Sequence, residues 1–204
     1  MVDTKIFAVI LAAGSSSRLG RAKQLLKFGD YSLLEKIAVE VSQVVGAQNT
    51  ILILGDKAEE ISRLSNIDSA IQQVTNIDWS SGMSSSIRIG LQEAQKHSCD
   101  AVLFVLCDQP FVDAALLKKM IHMHHEKNGI IACNYNGKNG VPAIFDHRFF
   151  PSLLALKGQE GAKKIIESNP GELTSISFPL GAWDVDTEED VNRLLEFIKS
   201  SELS

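Results

Sequence analysis

The apolar run from Ile6 to Leu11 stops at Ala12-Ala13-Gly14, and three serines, Arg18 and Lys23 follow. The run does not alternate apolar with polar residues, so it predicts a strand covered on both faces, as in the parallel sheet of an α/β protein. Loops at the carboxyl ends of such strands carry ligand sites. Small residues there let backbone N–H groups approach an anion closely, and the hydroxyls and two long cationic side chains add further donors. This composition suits a polyphosphate. Neither G-x-x-x-x-G-K-[ST] nor G-x-G-x-x-G can be laid over the stretch, which excludes the P-loop and the dinucleotide fingerprint. A Gly/Ser surface loop after a core strand accounts for the same composition.

Downstream, strand-like and helix-like segments alternate. Ser32-Leu33-Leu34-Glu35 has the spacing of a capping box and opens a helix with Ile37, Ala38, Val41 and Val45 on its apolar face. Asn49 to Leu54 predicts a second strand, Ala58 to Leu64 a short helix and Ile71 to Val74 a third strand. The Gly/Ser-rich stretch from Asn76 leads into a helical pattern of Ile87, Leu91 and Ala94. Ala101 to Leu106 is continuously apolar and ends at Cys107-Asp108-Gln109-Pro110. Asp113 has the character of an N-cap for a helix through Leu117 and Met120. Ile130 to Cys133 predicts a strand, Asn134 to Gly140 a polar turn, and Val141 to Phe145 a strand. Helices follow around Arg148 to Leu156 and Gly161 to Ser168, then edge strands at Ser175 to Phe178 and Ala182 to Val185. Thr187 to Asp190 caps a final helix. The alternation implies a three-layer α/β/α fold with a mostly parallel central sheet.

No repeat or linker divides the chain, and 204 residues at 45% hydrophobic suffice for one sizeable core, so residues 1–204 are expected to form a single domain. A net charge of -5 argues against non-specific nucleic-acid binding and still allows a local basic pocket. Cys99, Cys107 and Cys133 lack metal-ligand spacing and are expected to be reduced structural thiols. The N-terminal apolar run is too short for a membrane span and lacks a signal-peptide layout, so the expected location is the cytoplasm.

Asp108 ends a buried strand, at the sheet edge that carries the opening loop, and Asp186 ends a later one. A hard cation such as Mg²⁺ takes one or two carboxylates together with phosphate oxygens, so the pair could supply the protein's share. Asp184 competes with Asp186 for that role. Each aspartate also has a plain structural reading, as a turn or helix cap.

Leu11-Ala12-Ala13-Gly14-Ser15-Ser16-Ser17-Arg18-Leu19-Gly20 with Lys23-Gln24-Leu25-Leu26 resembles the signature of the MobA/MocA-type nucleotidyltransferases. Gly82-Met83-Ser84-Ser85-Ser86-Ile87, Cys107-Asp108-Gln109-Pro110 and Asp184-Val185-Asp186-Thr187 resemble that family's later motifs in order, over nearly the whole chain. The resemblance is greatest to the molybdenum cofactor cytidylyltransferases. It implies a Rossmann-like, GT-A-like fold and an Mg²⁺-dependent transfer of CMP from CTP to the terminal phosphate of molybdopterin, with release of pyrophosphate. Leu11, Ala12, Ala13 and Gly14 would meet the nucleotide, Arg18 and Lys23 would hold the triphosphate, and Gly82 and Ser86 would help recognise the base. Asp108 and Asp186 would bind Mg²⁺, and Arg18, Lys23 and Asp108 would carry catalysis. An apo-molybdoenzyme or its maturation factor is the implied protein partner. Alternatives are cytidylyl or guanylyl transfer to another phosphate acceptor, and a non-catalytic carrier of the molybdenum cofactor.

A phosphate nucleophile is already anionic at neutral pH, so charge neutralisation matters more than a general base. The chain departs from the family pattern at Glu188, where proline is common, at Val141, where histidine is frequent, and at Gln159 and Lys163 of Gly158-Gln159-Glu160-Gly161-Ala162-Lys163. The last two departures fall on the expected acceptor side. His122, His124 and His125 suggest a metal site, but the spacing of His122 and His125 favours a solvated face. Trp79 and Trp183 suit either ring stacking or packing, and Arg88 either a phosphate or the surface.

Overall fold

The computed structural model describes residues 4–202. Nine strands form, in chain order β1 (Ile6–Ala12), β2 (Lys27–Phe28), β3 (Tyr31–Ser32), β4 (Thr50–Leu54), β5 (Gln72–Thr75), β6 (Ala101–Leu106), β7 (Ile130–Tyr135), β8 (Lys138–Asp146) and β9 (Leu173–Ser177). Helices are α1 (Leu33–Val45), α2 (Ala58–Leu64), α3 (Met83–Gln95), α4 (Ala114–Lys127), α5 (Phe150–Leu154), α6 (Ala162–Ser168) and α7 (Glu188–Glu202).

Seven strands make one sheet in the order β5-β4-β1-β6-β8-β7-β9, while β2 and β3 pair apart from it. The register sets Ile10 of β1 opposite Leu52 of β4 and Val105 of β6. Only β8 runs against the others, antiparallel to both β6 and β7. The carboxyl ends of β1, β4 and β6 therefore share one edge, where loops can meet around a ligand.

The side-chain alternation of β1 divides the core into two layers. Ile6, Ala8 and Ile10 pack with Leu34, Ile37 and Val41 of α1 and Leu117 and Met120 of α4. Phe7, Val9 and Leu11 pack on the other face with Ile87 and Leu91 of α3, Leu153 of α5 and Ile165 of α6. Burying one such leucine or isoleucine contributes about 1.5–3 kcal/mol, which explains why the opening run tolerates no polar residue on either face. The three-layer, mostly parallel α/β/α fold expected from the sequence is the one observed.

Local signals act as read at both ends of the chain. Ser32 accepts from the Glu35 N–H and Glu35 accepts from the Ser32 N–H, closing the capping box of α1. Thr187 accepts from the Asp190 N–H while Asp190 accepts from the Thr187 N–H, so α7 opens on the same device.

Two expectations need correction. Residues 134–140 are not a seven-residue turn, because the strands continue to Tyr135 and resume at Lys138. The bend is Asn136-Gly137 alone, with positive φ at both residues (51° and 70°), the geometry that an Asn-Gly hairpin turn requires. The expected strand Ala182–Val185 is absent. Pro179–Ala182 form a 3-10 turn, and the Val185 N–H bonds the Asp108 carbonyl at 3.2 Å instead of joining a ladder. The other edge strand starts earlier than read, at Leu173.

Candidate active site

The loop after β1 is held from beneath by a side chain that the sequence reading did not single out. Gln24 is 1% exposed, and its amide donates to the Ala12 carbonyl at 2.8 Å and the Gly14 carbonyl at 3.2 Å. With those carbonyls turned into the protein, the loop's amides are left for a ligand. The end of β4 closes the other side: a Cβ on Gly55 would lie 2.4 Å from the Ala13 carbonyl oxygen, so only glycine admits this approach.

Next to the loop, two cations are paired with two carboxylates. Lys23 Nζ lies 2.5 Å from Asp108 Oδ2 and 2.8 Å from Asp186 Oδ1, and Arg18 Nη2 lies 2.6 Å from Asp186 Oδ2. Burial is the largest single effect on Lys23 and would lower its pKa, but Asp108, Asp186 and the other neighbours together outweigh it and hold the ammonium charged well above its ordinary range. Burial likewise works against Asp186, and Lys23 and Arg18 overcome it and keep that carboxyl below the usual carboxylate range. Asp184 makes neither of these pairs. Its desolvation, followed by repulsion from Asp108 and Asp186, raises it to about 6, although the residue itself is exposed.

A cavity of about 260 Å³ opens over this group, bordered by Leu11, Ala12, Ala13, Gly14, Lys23 and Asp108 from one side. Trp79, Gly82 and Ser86 border it from the other. The structure thus gathers eight of the ten residues predicted for the site around one cavity and sets Arg18 and Asp186 beside it through Lys23. Ser85 and Ser86 lie in the first turn of α3, and the fully buried Asn76 donates to both hydroxyl oxygens, at 2.8 and 3.0 Å. Asn76 was also missed; its one local signal is the Asx turn to the Asp78 N–H.

Asp108 Oδ1 is buried and has no hydrogen-bond partner among the described residues. A buried acceptor without a donor is costly, and a bound cation would relieve it. No group of three or more His, Cys, Asp or Glu side chains suited to a metal occurs among the described residues. The donor set therefore fits a hard cation only where substrate oxygens complete the shell.

A second cavity of about 460 Å³ adjoins the first and shares Leu11, Met83, Leu106 and Gln159 with it. Its far wall is the β7–β8 hairpin, with Tyr135, Lys138, Asn139 and Val141, and its near wall is residues 159–163, with Lys163. No acidic side chain lines it. Of the residues that depart from the family pattern, Val141 and Lys163 line this second cavity alone, while Gln159 borders both.

The other candidates divide between packing, the surface and the first cavity. Trp183 is packed by Phe111, Phe197 and Arg193, while Trp79 is at the first cavity. Arg88 donates to the Leu156 carbonyl. His122 and His125 are exposed, but His124 is 1% exposed and burial lowers its pKa. The three cysteines are free, and burial pushes their thiols up, to about 11 for Cys99 and about 12 for Cys107 and Cys133. No helix among the described residues is long and apolar enough to cross a membrane.

Against known proteins, residues 8–173 match the family model described as "MobA-like NTP transferase domain". The chain is 30% identical to the nicotine blue oxidoreductase of Paenarthrobacter nicotinovorans, over 93% of this chain and 96% of that one. The crystal structure of Rv0371c from Mycobacterium tuberculosis H37Rv superposes with a TM-score of 0.80 at 30% identity, covering 96% of this chain and 100% of that one. Rv0371c in complex with manganese superposes with a TM-score of 0.76 at 28% identity, with the same coverage.

Proposed function

Because the chain belongs to the MobA-like NTP transferase family, we propose that this nucleotidyltransferase moves CMP from CTP to the terminal phosphate of a molybdopterin-type acceptor. The observation that carries the reading is the Lys23–Asp108–Asp186–Arg18 group at the mouth of a small cavity cradled by backbone, beside a larger cavity without acids. The first cavity suits the triphosphate and base, and the second suits an anionic acceptor approached by Lys138 and Lys163.

In the chain without nucleotide, Lys23 and Arg18 neutralise Asp108 and Asp186. A triphosphate carries more negative charge than the two carboxylates and draws both cations toward its β- and γ-phosphates. The carboxylates are then released together, with the bare Asp108 Oδ1 already in place. Asp108 and Asp186 would hold Mg²⁺ or Mn²⁺, which supplies charge neutralisation at the phosphates when bound. The similar protein Rv0371c has a structure in complex with manganese, which supports a divalent cation for this chain without naming its ligands. Ser86, whose oxygen accepts from Asn76, keeps a hydroxyl hydrogen to donate to a cytosine carbonyl.

The chemistry is one displacement. An oxygen of the acceptor phosphate attacks the α-phosphorus of CTP, the α–β bridging P–O bond breaks, and the electron pair leaves with pyrophosphate. No general base is needed, and Lys23, Arg18 and the loop amides stabilise the charge that grows on the leaving group. Positioning the two anions accounts for up to roughly 7–11 kcal/mol of the barrier.

The relative named nicotine blue oxidoreductase raises a redox reading of the same cradle. The paired carboxylates favour phosphoryl chemistry, since hydride transfer has no use for them. Pyrophosphate release from CTP, GTP, ATP and UTP with the molybdenum cofactor as acceptor tests the proposal. CTP is expected to turn over fastest; cofactor binding without turnover of any triphosphate would make the chain a carrier, and acceptor-dependent oxidation of NADH or NADPH would make it a reductase.

A further inference from the structure

Gln109 lines neither cavity but lies between them, next to Asp108 at the first and bonded to Tyr135 and Val141 at the second. It follows Asp108 at the end of β6 and is 3% exposed. Its amide nitrogen donates to the Val141 carbonyl at 3.1 Å and the Gly181 carbonyl at 3.2 Å, with the Tyr135 hydroxyl at 3.5 Å. The two strong contacts use both amide hydrogens, and the carbonyl partners fix which end of the amide faces them. Its oxygen is buried without a partner, so the side chain bears a desolvation cost at this spot.

These three segments do different work. Asp108 belongs to the phosphate end, Tyr135 and Val141 line the second cavity, and Gly181 begins the irregular stretch that delivers Asp184 and Asp186. A backbone bond from Val185 N–H to the Asp108 carbonyl ties the first segment to the third, and the Tyr135 hydroxyl donates to the Val141 carbonyl at 2.9 Å. The knot admits no spare atom: a Cβ on Gly181 would lie 2.7 Å from the Tyr135 ring, and one on Gly140 would lie 2.6 Å from the Tyr135 oxygen. Among the described residues, the amide of Gln109 is the one side-chain group here that bonds to both the acceptor wall and the irregular segment leading to Asp186.

We propose that Gln109 is a positioning residue that sets the distance and angle between the carboxylate pair and the acceptor wall, and so aligns the acceptor's attacking oxygen with the α-phosphorus. The inference rests on the transferase reading above for what is aligned. On that reading the nucleotide is met by the β1 loop, which Gln24 pins from beneath, and by the start of α3, none of which bonds to the Gln109 side chain.

The test substitutes Gln109→Met, which keeps length and volume but removes both donated hydrogen bonds. The expected result is a fall in kcat of roughly 10²-fold, the scale of a 1 Å misplacement of reacting groups. The KM for CTP should stay within about twofold, since uniform binding of the nucleotide is untouched. Amide hydrogen exchange at residues 139–143 and 181–186 should quicken in the variant, a readout independent of turnover. Wild-type turnover measured in parallel reports on the proposed function itself. A Gln109→Met protein with wild-type kcat and exchange would overturn the positioning role, and so would a fall in kcat matched by an equal rise in the KM for CTP.

Discussion

The two cavities are built in opposite ways. Around the smaller one, the walls are backbone pinned by buried side chains: Gln24 beneath the β1 loop, Asn76 beneath Ser85 and Ser86, and Lys23 between two carboxylates. Around the larger one, the polar groups are surface side chains of a hairpin and a loop, Lys138, Asn139, Gln159 and Lys163. The first arrangement presents fixed dipoles and charges to a ligand whose phosphates never vary. The second sets these side chains on a wall whose backbone is fixed at Tyr135 and Val141, so its charge can change at small cost to the fold while its base stays in place. The contrast teaches that triphosphate chemistry should be a property of the scaffold, and acceptor choice a property of exchangeable surface residues.

The largest expected effect lies at the pinned end. Asp108→Ala should lower kcat by roughly 10²–10³-fold or more. Lys23 keeps Asp186 as a partner in that variant, so the melting temperature should hold. Near-normal turnover would remove the carboxylate from the mechanism.

Lys23→Met comes next. Nucleotide binding, followed by the fluorescence of Trp79, should weaken by roughly 10- to 100-fold, the scale of a lost charge-assisted hydrogen bond. Manganese binding to the nucleotide-free protein, read by electron paramagnetic resonance, should move the other way and tighten, because the lysine no longer competes for Asp108 and Asp186. Weaker manganese binding would contradict the exchange of cations.

The comparison is sharpened by changing the other cavity. Lys138→Ala combined with Lys163→Ala should raise the acceptor KM by about tenfold, a loss of about 1.4 kcal/mol in binding, and leave the KM for CTP unchanged. An equal change in both constants would erase the division between the two ends.

The smallest effect concerns Asp184, whose carboxyl rises from its ordinary 3.8 to about 6 through partial burial and its acidic neighbours. Between those values the folded chain binds more protons than the unfolded chain, so stability falls as pH rises through that window. Asp184→Asn should therefore stabilise the protein above pH 6, by less than about 1 kcal/mol for so exposed a group, and have no effect below the unfolded pKa. Melting curves at neutral and acid pH check both the sign and its disappearance.

What was legible in the sequence follows the same division. Strands buried on both faces announce themselves by unbroken apolar runs, and capped helices by their first turn, so the β1–β4–β6 centre and α1 lie as read. The residues of the smaller cavity were legible because the anion binding proposed for it restricts residue type strongly: small residues, hydroxyls and long cations at the end of a buried strand. Gln24, Asn76 and Gln109 lie in the stretches read from the sequence but were given no role of their own, because a glutamine or asparagine in a loop looks alike whether it faces water or holds chain segments together. The hairpin at Asn136-Gly137 was overlooked because Lys138 and Asn139 are polar, although strands that border a cleft carry polar residues toward it. The supposed strand before Asp186 failed for a related reason. Val185 is buried, but its N–H serves Asp108 and not a neighbouring strand.

The central claim, that the pinned end breaks the bond between the α- and β-phosphates, has a direct measurement. CTP labelled with ³²P at the α or at the γ position is incubated with the protein, a divalent cation and the molybdopterin-type acceptor, and the label is located after separation. The account predicts α-label covalently on the acceptor and γ-label in pyrophosphate. Label from the γ position on the acceptor, or from neither position, would contradict it.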